Sequence, residues 1–597
     1  MKLSDVIAQF LVEQGITHAF AISGGASLHL IHSIAQTEGI TYICPQHEQG
    51  CAFAADGYAR VTGNIGCAIA TSGPGATNLI TGISSSYFDS IPVLFLTGQV
   101  ASFRSKQDTG VRQMGFQETD IVDICRSITK YAVLVEDPYK ILYELEKAIH
   151  IAKSGRQGPV LIDIPDDFQR MDIDPSKLLH YRSDDQNKEG GYIDLEIIQN
   201  CLSALKNSSR PVLIFGWGVH LSKSEYLARE LATYLGVPVV MTWAALDIMP
   251  FEDPLTVGGF GTHGTRFANF AVQNADLIIA VGSRLDTKAT GTPATSFARE
   301  AKIIMVDIDA TEIKKFERLR KQVDIEVVAD CRIFLQEFLA VAKKNELTNF
   351  TPWLNQISKW KQKYPQCLPE YETQKQVNPY WMMKKLSEAL DSKDVIFSDT
   401  GCAIAWLMQG MEFKKGQKFF HAFNNTPMGY ALPAAIGACF ALPGQRVICV
   451  AGDGGIQMSI QELATAAYHH VPIKIILLNN RGHGMVRQTQ QMWLNGNLFA
   501  TSPEGGLPTP DLVAIAIAYG FTVTTLEQNT DIPAKLKQLL ESDGPALLHV
   551  ELDPDSQVIP QVKFGRPNED STPLLERNEF ISNMIVKPME VSLLPNP

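Results

Sequence analysis

Several features that define other protein classes are missing from this sequence of 597 residues. It contains no run of eighteen apolar residues, so we expect no membrane-spanning helix and no membrane partner. Its ten cysteines are scattered, and no two form a Cys-x-x-Cys pair, which argues against a zinc site or a disulfide framework. Buried free thiols in a reducing compartment fit better, and we expect a cytoplasmic protein.

Positive charge is also scarce. Lys and Arg number 52 against 64 Asp and Glu, which gives a formal net charge of −12. Since a phosphate backbone attracts basic proteins, we expect no nucleic-acid partner. The N-terminal segment carries Asp5 and Glu13 and has no small-residue cleavage site, so we do not interpret it as a signal peptide.

The sequence does contain a regular alternation of short apolar runs and helical patterns. The runs are rich in Val, Ile and Leu, as strands covered on both faces are. Helices between such strands imply right-handed crossovers, so we predict an α/β fold with parallel sheets flanked by helices. The runs are HAFAI, CAIAT, PVLFLTG, PVLIDI, PVLIFG, LIIAVGS, IIMVDID, DVIFSD, VICVAGD, IKIILLNN and ALLHVELD.

The chain is too long for one hydrophobic core, so we expect several domains. Two polar stretches, 180–191 and 343–378, interrupt the alternation and are interpreted as linkers, the second with helical content. The blocks on either side of the middle region are similar in rhythm. The expected domains are 1–178, 190–342 and 376–560, followed by a tail at 561–597.

Two apolar runs end abruptly in small polar residues. The first ends at Gly452-Asp453-Gly454-Gly455, and the second ends at Asn479-Asn480, so that Asn480 follows Asp453 by 27 positions (480 − 453). Ligands of open parallel sheets bind beyond the carboxyl ends of the strands, so both side chains are expected at one edge. Their oxygens, together with phosphate oxygens, suit Mg²⁺, and glycine N–H groups suit an anion.

The helix after the glycines is expected to begin with a capping box, with Ser459 as N-cap and Glu462 three residues later. A tight turn or a strand end would explain either motif alone. The two together, at this spacing, are far more specific and resemble the cofactor motif of thiamine diphosphate-dependent enzymes.

A second segment, HEQGCAFAADGYAR, places Glu48 between an apolar strand and a small-residue helix. A buried carboxylate there suits proton sharing, whereas a solvated glutamate at a helix start is the ordinary alternative. Together with TSGPGATNLITGI and DSIPVLFLTGQV, this segment is similar to the pyrimidine domain of the acetolactate synthase branch of those enzymes. The resemblance extends over nearly the whole chain, from FAISGGAS to ALLHVELD.

The resemblance implies three domains that bind, in order, the pyrimidine of the cofactor, a possible FAD in a Rossmann-like fold, and the diphosphate. Glu48 is then the residue that activates the cofactor. Asp453, Asn480 and the carbonyl of Gly482 are the Mg²⁺ ligands. Because the pyrimidine domain of one subunit faces the diphosphate domain of another in this family, a homodimer or homotetramer is implied.

Further site residues follow from the same resemblance. Gly25, Phe116 and Gln117 match residues beside the reacting carbon and join Glu48 as catalytic candidates. Met428 matches the bulky residue that bends the cofactor. The other cofactor candidates are Pro74, Asn78, Gly401, Cys402, Thr426, Gly452, Gly454, Gly455, His483, Gly484, Met485 and Val486.

The middle domain is a candidate FAD domain, with a structural rather than a redox role for the flavin. Its segments GWG, GTHGTRFAN and VGSRLDTKATG stand where the flavin segments of the family stand. The DDR of the family is DTK here, which weakens the match, and a middle domain without flavin is the alternative. The candidate FAD residues are Gly216, Gly218, His263, Arg284 and Asp286.

The implied reaction is decarboxylation of pyruvate and transfer of the hydroxyethyl carbanion to an acceptor carbonyl. No histidine lies between Ala101 and Lys130, where simple decarboxylases of the superfamily carry a proton-donating pair, so carboligation is favoured over protonation. A second pyruvate as acceptor would give acetolactate, a precursor of branched-chain amino acids. A flavin-dependent pyruvate oxidase and a non-catalytic paralogue are the alternatives.

Some positions depart from a housekeeping acetolactate synthase. Thr489 replaces a tryptophan that restricts the acceptor pocket, Asp166 replaces a lysine near the entrance, and Cys402-Ala403 replaces two side-chain donors to the phosphates. The sequence of the tail, 561–597, also does not resemble that of a housekeeping acetolactate synthase. These features resemble related carboligases that act on a nucleotide-linked ketosugar, so the acceptor stays open. Arg487 is interpreted as an acceptor anchor, with an ordinary surface charge as the alternative.

Overall fold

The computed structural model describes residues 1–183 and 192–594. Most of the stretch 180–191, expected to be a linker, lies outside the described residues. The chain forms three six-stranded parallel sheets, flanked by helices, which confirms the α/β fold class. We refer to them as the first, middle and third domains.

The first domain is built around one parallel sheet. Its strands are β1 (His18–Ala21), β2 (Thr41–Ile43), β3 (Gly66–Ala70), β4 (Val93–Gln99), β5 (Tyr131–Leu134) and β6 (Val160–Pro165). Its helices are α1 (Leu3–Glu13), α2 (Leu28–Gln36), α3 (Glu48–Thr62), α4 (Pro74–Asn78), α5 (Ile80–Asp89), α6 (Ile121–Cys125), α7 (Ile141–Lys153) and α8 (Asp166–Gln169).

The middle domain repeats the alternation of strand and helix. Its strands are β7 (Pro211–Phe215), β8 (Val239–Met241), β9 (Thr256–Gly259), β10 (Leu277–Val281), β11 (Lys302–Asp307) and β12 (Ile325–Val328). Its helices are α9 (Leu195–Lys206), α10 (Gly218–Leu221), α11 (Glu225–Leu235), α12 (Arg266–Gln273), α13 (Thr287–Thr290), α14 (Ala310–Arg318), α15 (Cys331–Ala342) and α16 (Thr351–Lys363).

The third domain and the tail complete the chain. The strands are β13 (Val395–Ser398), β14 (Lys418–Phe420), β15 (Val447–Gly452), β16 (Ile473–Asn479), β17 (Thr522–Leu526) and β18 (Ala546–Glu551). The helices are α17 (Pro379–Ala389), α18 (Cys402–Gly410), α19 (Ala431–Ala441), α20 (Asp453–Ile456), α21 (Glu462–Tyr468), α22 (Gly484–Trp493), α23 (Leu512–Ala518), α24 (Ile532–Glu541), and in the tail α25 (Arg577–Ser582) and α26 (Glu590–Leu593).

The first and third sheets have the same strand order. The first runs β2-β1-β3-β4-β6-β5 and the third runs β14-β13-β15-β16-β18-β17, whereas the middle sheet runs β12-β11-β10-β7-β8-β9. The similar rhythm of the two outer blocks therefore corresponds to the same topology. In both, the direction of strand order reverses between two neighbouring strands, β1 and β3 in the first sheet and β13 and β15 in the third, which opens a crevice at their carboxyl ends.

Helices α3 and α19 join the first and third domains at very close range. A Cβ on Gly57 of α3 would lie 2.2 Å from the carbonyl oxygen of Ala434, and a Cβ on Gly437 of α19 would lie 2.0 Å from that of Ala54. The absence of side chains at these two glycines is what allows the backbones to approach.

A buried ionic cluster lies where the three domains meet. The guanidinium of Arg60 donates to Asp56 at 2.6 Å and to Asp89 at 2.8 Å, and all three side chains are shielded from solvent. The Asp89 carboxylate also accepts the N–H of Phe423 in the third domain at 2.8 Å. The carbonyl of Asp89 accepts the indole N–H of Trp217 in the middle domain at 2.9 Å.

The polar stretch 343–378, expected to be a linker, contributes to the core of the middle domain through α16. Trp353 and Trp360 of this helix are buried against the sheet, together with Phe580 of the tail. The two tryptophans lie about two helical turns apart, on the same side of the helix, and give this otherwise polar helix an apolar face.

All ten cysteines are unpaired, and eight are buried, as the scattered pattern predicts. Among the described residues, no helix has the length and apolarity needed to cross a membrane.

Candidate functional site

A cavity lies at the carboxyl ends of β13, β15 and β16, which we call the third-domain cavity. Thr400, Trp406 and Leu478, which the sequence did not single out, form part of its wall. The structure brings together here the following sequence-assigned residues: Gly401, Cys402, Met428, Gly452, Asp453, Gly454, Gly455, Asn480, Gly482, His483, Gly484, Met485 and Val486.

Three oxygen atoms converge inside this cavity. The side-chain oxygen of Asn480 lies 3.1 Å from Oδ1 of Asp453 and 2.9 Å from the carbonyl oxygen of Gly482. With the amide rotated by 180°, its nitrogen donates a hydrogen bond to each of these oxygens. The amide oxygen would face the same point if a cation were bound there. The N–H of Gly482 donates to Oδ2 of Asp453 at 2.7 Å and leaves Oδ1 directed at the cluster.

The oxygen cluster has the composition of a magnesium site. Asp453 is 3 % exposed, and burial raises its pKa to about 6 although the Gly482 N–H opposes this. The described residues contain no group of three His, Cys, Asp or Glu side chains able to hold a metal. One carboxylate, one amide and one carbonyl are the hard oxygen ligands that Mg²⁺ combines with phosphate oxygens.

Three helices begin at the third-domain cavity without a side-chain cap. They are α18, α20 and α22, whose N-cap residues are Gly401, Gly452 and His483. Their first N–H groups and the positive ends of their dipoles favour an anion.

Glycine is required at the wall of the cavity because the backbone segments touch. A Cβ on Gly484 would lie 2.2 Å from the amide nitrogen of Asn480, and a Cβ on Gly454 would lie 2.5 Å from His483. Gly482 adopts a φ of +146°, where a Cβ would lie 2.2 Å from the carbonyl oxygen of Thr501. These approaches hold the Asp453 and Asn480 loops against each other.

Asp399 organises the cavity although the sequence reasoning missed it. Its carboxylate accepts N–H groups of Thr400 at 2.8 Å and of Gly429 at 3.0 and 3.1 Å, so it fixes the loop that presents Met428. A Cβ on Gly455 would lie 3.0 Å from its carboxyl group. Burial raises the pKa of Asp399 to about 6. Its place at the end of the strand DVIFSD was the available signal.

Two sequence interpretations near this cavity are wrong. Arg487 is not an ordinary surface charge, because it is buried and donates to the carbonyl oxygen of Asn480 at 2.8 Å, and its role as an acceptor anchor stays a prediction. The capping box is absent, since α21 begins at Glu462 and the buried hydroxyl of Ser459 has no partner. The Glu462 carboxylate instead accepts the N–H of Gln46 in the first domain.

The first-domain candidates assemble separately at the carboxyl ends of β1, β2 and β3. Glu48 is the first residue of α3, and its Oε2 accepts the side-chain N–H of Asn78 at 2.9 Å. Pro74 begins α4, the short helix that ends at Asn78, and a Cβ on Gly75 would lie 3.3 Å from Oε1 of Glu48.

Gly25 and Gln117 lie beside this group. The turn at Gly25 is held by Thr71, whose hydroxyl accepts the N–H of Ala26 at 3.1 Å. Gln117 adopts a φ of +64° and packs against Gly73, where a Cβ would lie 2.8 Å from the Gln117 carbonyl oxygen. Phe116 projects outward and is 86 % exposed.

Glu48 is only half-buried within one chain, so the burial expected for it is not reached there. The third-domain cavity is lined by third-domain residues, and Glu48, Pro74 and Asn78 belong to the separate first-domain group. Thr426, with a φ of +46°, lies in the loop before Met428 and outside the lining.

Two adjoining cavities at the border of the middle domain share Trp217, Gly282 and Arg284 of that domain and Asn424 of the third domain. His263 and Asp286 line one of them, and Gly218 lines the other. They meet at the carboxyl ends of β7 and β10, where a nucleotide would bind in an open α/β sheet.

The middle-domain candidates have protein partners of their own. Asp286 caps α13 by accepting the N–H groups of Lys288 and Ala289 at 2.9 Å, and Arg284 pairs with Glu312 at 2.8 Å. Gly216 lies outside both linings and serves packing, because a Cβ there would lie 2.4 Å from the Gly282 carbonyl oxygen. Burial lowers the pKa of His263 to about 3, so it is neutral at pH 7.

Comparisons with known proteins agree with this arrangement. Three family models match: the N-terminal TPP binding domain of thiamine pyrophosphate enzymes at residues 1–124, their central domain at 198–338, and their C-terminal TPP binding domain at 399–550. Acetolactate synthase 2, chloroplastic, of Nicotiana tabacum is 34% identical over 95% of this chain and 85% of that protein.

Two further relatives cover similar lengths. The acetolactate synthase large subunit of Cyanidium caldarium is 33% identical over 97% of each chain. Acetolactate synthase, chloroplastic, of Arabidopsis thaliana is 35% identical over 94% of this chain and 83% of that protein.

Proposed function

This chain belongs to the thiamine pyrophosphate enzymes of the acetolactate synthase type, and from that membership we propose that it decarboxylates pyruvate and transfers the two-carbon unit to an acceptor carbonyl. The acceptor proposed first is a second pyruvate, which gives acetolactate. The observation that carries the proposal is the meeting of Asp453, the Asn480 side-chain amide and the Gly482 carbonyl at the third-domain cavity, where three helices begin without a side-chain cap.

This arrangement fits a magnesium-bound diphosphate. Asp453, Asn480 and the Gly482 carbonyl would hold Mg²⁺, and the first N–H groups of α18, α20 and α22 would hold the phosphate oxygens. Thiamine diphosphate, when bound, supplies the nucleophilic carbon and the electron sink for the decarboxylation. Met428, in the wall of the same cavity, would support the bent form of the cofactor.

Glu48 would supply the proton-sharing carboxylate from a second copy of the chain. Asn78 occupies its Oε2, which leaves Oε1 to exchange a proton with the aminopyrimidine. The surface around Glu48, where Phe116 is 86 % exposed, is the one that a second copy would cover in a homodimer or in a homotetramer. Covering it would complete the burial that one chain does not provide.

A structural FAD would occupy the two joined cavities of the middle domain. Trp217, Gly282 and Arg284 line both, so a single extended ligand could run through them. Arg284 would contribute positive charge next to the flavin diphosphate. A yellow preparation with the absorbance of bound flavin would support this assignment, and a colourless preparation that remains fully active after incubation with FAD would oppose it.

The test of the function uses purified enzyme with thiamine diphosphate, Mg²⁺ and pyruvate alone. We expect acetolactate as the main product. Release of acetaldehyde would identify a simple decarboxylase, and release of peroxide with acetyl phosphate or acetate would identify a pyruvate oxidase. Either result would overturn the proposed transfer.

A further inference from the structure

The segment that joins β4 to α6 carries the site candidate Gln117. Over the described residues 100–120 it contains no strand and no α-helix, only a short 3₁₀ turn at Ser102–Arg104. A connection this long without regular structure is uncommon inside a compact domain and is usually functional. Its conformation depends on contacts other than those of a helix or a sheet. We call residues 102–118 of this segment the Gln117 loop.

One buried carboxylate, that of Glu118, joins the two arms of the Gln117 loop. Its Oε1 accepts the hydroxyl of Ser105 at 3.1 Å and the N–H of Lys106 at 2.6 Å, both on the outgoing arm. Its Oε2 accepts the N–H of Met114 at 2.9 Å and that of Gly115 at 3.1 Å, both on the returning arm. Each oxygen of the carboxylate therefore holds one arm of the loop.

The Glu118 side chain is charged at neutral pH. Burial favours its neutral form, but the hydrogen bonds from the loop favour the charged form, and the net result is a pKa below the ordinary value of 4.5. The four bonds are thus charge-assisted, which makes them stronger than bonds between neutral groups. A glutamine would keep the shape, but its NH₂ group would face N–H donors, because an amide has only one acceptor oxygen.

Gln117 is held from both sides in an unfavourable backbone conformation. Its φ of +64° is uncommon for a residue with a Cβ and persists only where neighbouring contacts impose it. Glu118 follows it directly, and on its other side a Cβ on Gly73 would lie 2.8 Å from the Gln117 carbonyl oxygen. Gly73 is also the N-cap of α4, the helix whose Asn78 binds Glu48. The Gln117 loop and the group around Glu48 therefore meet at one turn.

We propose that Glu118 is a positioning residue for the reaction, because its carboxylate joins the two arms of the loop and so fixes where Gln117 faces the cofactor. The inference rests on the carboligase function proposed above, in which Gln117 lies beside the reacting carbon. The four donors to Glu118 belong to the loop itself, and Glu118 does not line the third-domain cavity. Its loss should therefore lower turnover and leave the affinity for thiamine diphosphate unchanged.

A double-mutant cycle between Glu118 and Gln117 tests this coupling. Turnover is measured as consumption of pyruvate at saturating thiamine diphosphate and Mg²⁺, whichever product forms, so a negative result is distinct from a failure to make acetolactate. Glu118→Gln should lower kcat at least about tenfold and change the Kd of thiamine diphosphate by less than about twofold. In the Gln117→Ala background, the same substitution should lower kcat by less than about twofold, because the residue through which it acts is already gone.

The matched control is Asp108→Asn, which removes the same charge from an exposed position of the same loop and should behave like the wild type. Hydrogen–deuterium exchange of the 102–118 peptide in the full-length protein is a readout without turnover, and it should quicken in Glu118→Gln only.

If Glu118→Gln does not fold, Ser105→Ala takes its place in the cycle. It removes one of the four donors and should lower kcat by about threefold. The proposal is overturned if Gln117→Ala does not lower turnover, if the losses at the two positions multiply, or if the exchange of the loop is unchanged.

Discussion

Glu462 of the third domain binds the backbone of Gln46 in the first domain through both carboxylate oxygens. The N–H of Gln46 lies 3.0 Å from Oε1 and 3.1 Å from Oε2. Gly50 makes room for this contact, because a Cβ there would lie 2.4 Å from Oε1. Glu48 lies between these two backbone positions, so the third domain fixes the turn that presents Glu48.

We expect Glu462→Gln to alter how stability depends on pH. Burial raises the pKa of Glu462 from 4.5 to about 7, so the folded state holds the proton more tightly than the unfolded chain. The stability from this group is complete below pH 4.5 and is lost as the pH rises through 7. As the pH rises from below 4.5 to above 7, the free energy of unfolding of the wild type should fall by up to about 3 kcal/mol more than that of the variant.

Urea unfolding at pH 5 and pH 8 measures this difference. Glu38→Gln, at an exposed position, is the control and should follow the wild type at both pH values. If Glu462→Gln and the wild type lost the same free energy between these pH values, Glu462 would not be the titrating group.

Glu48→Gln should reduce kcat by at least about 100-fold, because the amide cannot share a proton with the cofactor. The melting temperature should stay unchanged, since Asn78 can still hydrogen-bond to the amide oxygen. Steady-state kinetics with pyruvate and a thermal melt check both parts. Undiminished turnover would remove Glu48 from the mechanism.

Asp453→Asn should lower the affinity for Mg²⁺ by about 100-fold and weaken thiamine diphosphate binding with it. Chelation of metal from the wild type should have the same effect, and added Mg²⁺ should restore activity to the wild type only. Titration of Mg²⁺ against activity and against cofactor binding measures this. The exposed Asp391→Asn variant is the control. Equal Mg²⁺ dependence in both variants would contradict the proposed metal site.

Mixing two inactive variants tests whether each site is shared between copies. Glu48→Gln subunits combined with Asp453→Asn subunits should form mixed dimers in which one site has both defects and the other has none. Random pairing should restore about a quarter of wild-type activity after joint refolding or co-expression. Each variant mixed with itself is the control, and a mixture as inactive as its parents would indicate a site formed within one chain.

Thr489→Trp should narrow the space along α22 beside Met485, which lines the third-domain cavity. We expect the rate with large acceptors to fall at least about tenfold more than the rate of acetolactate formation from pyruvate. Competition between pyruvate and larger ketone acceptors in one reaction gives this ratio directly. Thr489→Val, which keeps the shape, should retain the wild-type ratio.

The sequence reveals the inner strands, apart from the three-residue β8, but not the edge strands, and most of this division has a physical reason. Every apolar run identified from the sequence is a strand, because inner strands such as β4 and β15 are buried on both faces and must be continuously apolar. The edge strands β2, β5, β12 and β17 pair on one side only and keep exposed or half-exposed residues. Their mixed composition does not stand out from loops.

The residues of the candidate site were likewise only partly predictable from the sequence. Residues that end inner strands, such as Asp453 and Asn480, can be located from the sequence because the strand fixes where they lie. Glu462 could not be interpreted correctly, because its partner Gln46 is 416 positions away and a local cap explains the same letters equally well.

Arg60 makes the chain difficult to divide into independent parts. Its ion pairs with Asp56 and Asp89 are enclosed by groups from all three domains. Removing any one domain would leave these charges partly exposed in a gap that water solvates poorly. Shortened versions that carry only the cofactor-binding halves should therefore be insoluble or unfolded. Work on this protein, whether labelling, immobilisation or fusion, is best planned around the intact polypeptide.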